Sequence, residues 1–141
     1  MGYDFDLICQ LCGELGLSAH LRDERCVEVD LGPSGLLCFQ NAEDDKHCLI
    51  GFRGTPWHTH DDLTFVDGRG HYIELDYLDL LTGLGVGRVL VCGRLQEGKL
   101  LGRWPIHRGY NDVFKYMDAG EQITVRRVVT NAPHASQSGV A

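Results

Sequence analysis

An α+β fold, a single domain with a mostly antiparallel sheet, an N-terminal helix and two short helices, is what this sequence predicts. Three observations predict it. Phe5, Ile8, Cys9, Cys12 and Leu15 recur at helical spacing at the start of the chain. Short alternating segments, separated by Gly, Pro, Asn and Asp turns, fill the stretch that follows. The βα repeats that build a parallel sheet are absent.

The elements follow in order. Asp4 is placed to cap a helix over residues 4 to 15, and Gly16 to end it. Val27, Val29 and Leu31 alternate with Cys26, Glu28 and Asp30, so one face of that strand is buried. Gly32-Pro33-Ser34-Gly35 turns the chain into a returning strand, Leu36 to Gln40. Glu43-Asp44-Asp45-Lys46 is a polar turn before a strand from His47 to Arg53. Leu63 to Asp67, the turn Gly68-Arg69-Gly70, and His71 to Leu75 predict a hairpin in an antiparallel meander.

The rhythm then changes. Tyr77, Leu80, Leu81 and Leu84 share a helical face, opened by Asp76 and closed near Gly83 or Gly85. Arg88 to Leu95 is a strongly apolar, central strand, and Glu97-Gly98-Lys99 turns it into Leu100 to Ile106. Tyr110, Val113, Phe114 and Met117 have the spacing of a short helix capped by Asn111 or Asp112 and ended by Gly120. Gln122 to Val129 is the last strand. Residues 1–129 are thus expected to form one α+β domain with its helices on one face, and residues 130–141 a disordered tail.

Composition narrows the function. The chain has 141 residues, 43% of them apolar, enough for one sizeable core. Its net charge is -7, from 13 basic against 20 acidic residues. There is no basic stripe, only Arg126-Arg127 and scattered charges, which argues against nucleic acid as a partner. No apolar run is long enough for a membrane span, and the acidic start Met1-Gly2-Tyr3-Asp4-Phe5-Asp6 is unlike a secretory signal. A cytoplasmic protein with six free thiols is expected, without cofactor and without contact to membranes.

The densest chemistry lies in Trp57-His58-Thr59-His60-Asp61-Asp62, after the turn Gly54-Thr55-Pro56. On an extended segment His58 and His60 point the same way, and Asp62 would join them as a third ligand. His-x-His-x-Asp resembles the start of the metallo-β-lactamase signature, but the sixth position is Leu63 rather than His. A cupin-like barrel would want Glu near positions 64 and 65, which hold Thr64 and Phe65. Pro105-Ile106-His107-Arg108-Gly109 has the second cupin motif's residues in the wrong order. Cys9-Gln10-Leu11-Cys12 lies within the first helix, where its thiols are core packing rather than a redox or zinc pair. No nucleophile elbow is present. Gly83-Leu84-Gly85-Val86-Gly87 follows a helix, the reverse of a phosphate loop.

Recognition remains. Trp57, His58, His60, Asp61 and Asp62, with the acidic loop Glu43, Asp44 and Asp45, form an aromatic anchor rimmed by carboxylates, suited to a basic protein surface. Trp57 to Asp62, then Tyr72-Ile73-Glu74-Leu75, a Leu-rich helix, and the hairpin from Val89-Leu90-Val91 through Gly98-Lys99 to Arg103-Trp104 resemble small cytoplasmic immunity proteins of bacterial polymorphic-toxin and secretion-system competition systems. That resemblance implies a non-catalytic protein that binds a cognate toxin domain, one with a basic active-site cleft, and occludes it. The alternative is a metal-dependent enzyme or cupin-like binding protein using His58 and His60, with Asp62 or His71. A structural or regulatory domain of a larger assembly is the third reading.

Overall fold

The computed structural model describes residues 2–43, 47–60, 62–110, 112–114 and 117–131. The described residues form an α+β architecture with the expected N-terminal helix, two short helices and ten strands in three antiparallel sheets. The first helix, α1 (Phe5–Leu15), is capped by the Asp4 side chain, which accepts from the Leu7 N–H. It ends at Gly16, whose φ of 76° is cheap only for glycine.

Five strands then form one sheet in sequence order: β1 (Ser18–Asp23), β2 (Cys26–Asp30), β3 (Leu36–Gln40), β4 (Leu49–Phe52) and β5 (His58–Thr59). A 3-10 turn, Gly32–Ser34, supplies a short helix where the composition predicts only a turn. β6 (Leu63–Val66) and β7 (Tyr72–Leu75) are the expected hairpin. The second helix, α2 (Tyr77–Val86), starts at the expected cap, Asp76, but runs past Gly83 and Gly85 to Gly87. The two inner glycines are there for packing. A Cβ on Gly83 would lie 2.6 Å from Val89 Cγ2, and one on Gly85 would lie 3.0 Å from Leu15 Cδ2. The third sheet has β8 (Val89–Gln96) at its centre, as its apolar run predicts, between β9 (Lys99–His107) and β10 (Glu121–Arg126).

β1 was not foreseen, and β5 is only two residues long. The helix expected from Tyr110 to Met117 falls partly outside the described residues, at Asn111, Lys115 and Tyr116; Val113 and Phe114 lie in a turn. The tail expected to be disordered lies outside the described residues beyond Asn131. No described helix is long and apolar enough to cross a membrane.

One core joins the three sheets. Val27, Val29, Leu37, Phe39, Ile50 and Phe52 line the inner face of the five-stranded sheet. Ile8 and Cys12 of α1, Leu80, Leu81 and Leu84 of α2, and Val89 and Val91 of β8 pack into the same cluster. Tyr3 fastens the start of α1: its ring meets Phe39 at 5.7 Å and Tyr77 at 5.0 Å. Late in the chain, the Asn131 N–H donates to Gly16 O at 2.8 Å, which ties the last described residue to the end of α1.

Candidate partner-binding surface

The outer face of the five-stranded sheet carries polar groups in register. His20, Glu28, Cys38, Gly51 and His58 pair in sequence across β1 to β5, making one row over five strands. Strand alternation puts this row opposite the core face. Glu28 nevertheless is only 3% exposed. Neighbouring strands flank it on both sides, and two arginines and a histidine lie over it. Arg53 Nη1 is 3.1 Å from its Oε2, Arg22 Nη1 is 3.7 Å from the same oxygen, and His20 Nε2 is 3.3 Å from Oε1. Cys38 Sγ lies 3.6 Å from Oε2. A buried carboxylate needs such partners, because desolvation of an unpaired one is costly.

The β4–β5 connection frames a groove beside this row. Gly54 turns with φ of 82°, and the Thr55 N–H donates to Phe52 O at 3.3 Å. Trp57 then packs against Phe52, ring centroids 5.8 Å apart and planes tilted by 48°, half-buried at the edge of the core. Gly51 forms part of the floor: a Cβ there would come within 3.0 Å of Trp57 O. The groove, about 280 Å³, is bounded by Arg22, Cys38, Gly51, Arg53, Trp57 and His58 among others. Its charged lining is therefore arginine rather than carboxylate.

His58 and His60 stand side by side with rings perpendicular and centroids 5.1 Å apart. Each Nδ1 bonds a main-chain carbonyl, Pro56 O at 3.0 Å and Cys48 O at 2.9 Å. A carbonyl only accepts, so Nδ1 carries the proton in both and Nε2 is the outward nitrogen. The His60 bond also brings it to the connection that carries Glu43.

The structure thus unites Trp57, His58 and His60 at one edge of the sheet. Asp62 is exposed beyond them. Glu43 is exposed and pairs with Arg25 at 3.4 Å. Asp44, Asp45 and Asp61 lie outside the described residues. Among the described residues no group of three or more His, Cys, Asp or Glu side chains is arranged to hold a metal ion. Neither Asp62 nor His71 completes a set with the two histidines, and His71 Nδ1 instead lies 3.4 Å from Asp67 Oδ2.

The thiols are set for packing. Burial pushes Cys12 and Cys92 up to about 12. Burial first, then the neighbouring Cys26 and Glu28, push Cys38 up to about 11. Thiols held protonated in this way are poor nucleophiles at neutral pH.

Reading the sequence missed Arg22, Arg53, His20 and the buried state of Glu28. The available signal was Ala19-His20-Leu21-Arg22, whose alternation marks β1 and places His20 and Arg22 on Glu28's face. No family model, curated protein or solved structure matches the chain.

Proposed function

We propose that the protein is an inhibitor of the immunity class, which binds a cognate toxin domain and covers its active site without catalysing a reaction. The observation that carries this reading is the pre-set edge from Gly54 to His60. Trp57 is anchored on Phe52, and both histidines are oriented by main-chain carbonyls, so little side-chain freedom is left to lose on binding. Exposed Asp62 and Glu43 would meet basic groups on the toxin, while Arg22 and Arg53 would meet acidic ones. The buried cluster also supports binding over catalysis, because Glu28 is already engaged by Arg22, Arg53 and His20.

Co-expression with the product of the adjacent gene tests the proposal. That product should be toxic alone, tolerated in company, and co-purify with this chain. A Trp57→Ala/His58→Ala variant should weaken capture at least about ten-fold, as a hot-spot aromatic does. A neighbour that is harmless, or that fails to bind, removes the proposal's main support.

The two outward Nε2 atoms favour a second reading, a metal-binding pair, because ligating histidines are commonly oriented by an Nδ1–H bond to a carbonyl. Stoichiometric metal in the purified protein, lost in His58→Ala/His60→Ala, would establish it. Its absence would dismiss it.

A further inference from the structure

A separate cavity of about 150 Å³ lies where the 3-10 turn meets the three-stranded sheet, bounded by Pro33, Ser34, Gly93, Arg103, Thr124 and Arg126 among others. Register explains its lining. Thr124, Gly93 and Arg103 are paired neighbours across β10, β8 and β9. Arg126, two residues beyond Thr124, projects from the same face of β10. Two glycines make the space. A Cβ on Gly93 would sit 2.9 Å from Thr124 Oγ1, and one on Gly35, where φ is +98°, would overlap the Arg103 guanidinium.

The charges in this cavity are unbalanced. Arg103 donates to Pro33 O at 3.3 Å, and neither Arg103 nor Arg126 has a carboxylate partner among the described residues. This occurs in a chain with 20 acidic residues against 13 basic. Burial, and after it the charge of Arg126, weaken the hold of Arg103 on its proton. Ser34 adds an independent signal. It is 3% exposed, and its hydroxyl has no hydrogen-bond partner among the described residues. No sealed side-chain oxygen or nitrogen is left without a partner among the described residues, and Ser34 is one of the residues that line the cavity. The Thr124 hydroxyl reaches Gly93 O only at 3.5 Å, a weak bond that is easily exchanged.

We propose that this cavity binds a phosphate-type oxyanion, held by Arg103 and Arg126 and by the hydroxyls of Ser34 and Thr124. A guanidinium fork matches two oxygens of a tetrahedral anion, and hydroxyl donors can reach the others. A planar carboxylate would satisfy one fork and leave the hydroxyls unused. The space suits a free anion or the phosphoryl group of a small ester.

Titration calorimetry of the full chain with inorganic phosphate, at constant ionic strength balanced by chloride, tests the site. Saturable binding is expected, with a rise in thermal midpoint that chloride does not produce. Arg126→Gln should weaken binding at least about ten-fold and Ser34→Ala by less, as expected for a charged and a neutral donor. Arg126 is exposed on an outer strand, so its variant should fold; relief of like-charge repulsion should leave it at least as stable as the parent without phosphate. Glycerol phosphate run in parallel separates the sources: tighter binding than inorganic phosphate assigns the site to phosphoesters, and weaker binding assigns it to the free ion. Absence of saturable phosphate binding, or unchanged binding in Arg126→Gln, overturns the proposal.

Discussion

Arg53 reaches across the whole width of β3 to meet Glu28, Nη1 to Oε2 at 3.1 Å, so a residue just past β4 neutralises a carboxylate buried on β2. The pair is asymmetric. The Glu28 side chain is 4% exposed, whereas that of Arg53 is 49% exposed. The desolvation cost therefore falls mainly on the carboxylate, and the arginine can return to water if its partner is lost.

This asymmetry sets the first expectation. Glu28→Gln should destabilise the fold by about 1–3 kcal/mol, less than breaking a pair in which both ions are buried, because both arginines can resolvate. Urea denaturation measures it. An unchanged midpoint would mean that the groups around Glu28 contribute no net stability.

Gly51 makes a steric prediction. A Cβ there would lie 3.0 Å from Trp57 O and 3.2 Å from His58 Cβ, so the β5 edge must shift to admit it. Gly51→Ala should cost about 1–2 kcal/mol, in the range of mild overpacking. In a Trp104→Phe background the emission of Trp57 should move to longer wavelength as its contact with Phe52 loosens. An unshifted spectrum at unchanged stability would show that the edge is softer than the geometry implies.

High pH should weaken the fold. The ordinary thiol value is 9.0, against about 12 for native Cys12 and Cys92 and about 11 for native Cys38. Above pH 9 the unfolded chain loses thiol protons that the native state keeps, so stability falls with rising pH until the native values are passed. Urea midpoints measured from about pH 8 to 11 should decline, and Cys92→Ala should flatten the slope. A flat parent profile would contradict the burial of these thiols.

Asp67 predicts the opposite limb. The N–H groups of His71 and then Arg69 hold its carboxyl below the ordinary value of 3.8. Its contribution is present above 3.8 and is lost as pH falls through the lower native value. Asp67→Ala should open the β6–β7 turn, which amide exchange at His71 would report as faster exchange near neutral pH. Equal exchange in parent and variant would remove Asp67 from the turn's support.

Local signals were legible in the sequence and cross-strand ones were not. Asp4, Gly16 and Asp76 announce their helix ends because caps are read within a turn of chain. The β6–β7 hairpin is equally local, as is the apolar run that makes β8 central. β1 escaped because it buries little, Ala19 being half-buried and Leu21 exposed, and β5 because two residues show no period. Trp57, His58 and His60 were visible as neighbours in sequence, but the arginines beside them come from β1 and from the end of β4. Their meeting depends on register, which single residues do not announce. The Gly83 and Gly85 stops failed for a related reason, since these glycines answer to Val89 on the following strand and to Leu15 on another helix.

The sequential order of the five-stranded sheet has a kinetic consequence. Each strand docks on the one just before it, so the sheet can zip by short loop closures and is complete once residue 59 is available. The residues that finish covering its apolar face, Leu80, Leu81, Leu84, Val89 and Val91, come later in the chain. During synthesis Val27, Leu37, Phe39 and Ile50 must therefore wait with only α1 beside them. During that interval the uncovered apolar face is open to aggregation.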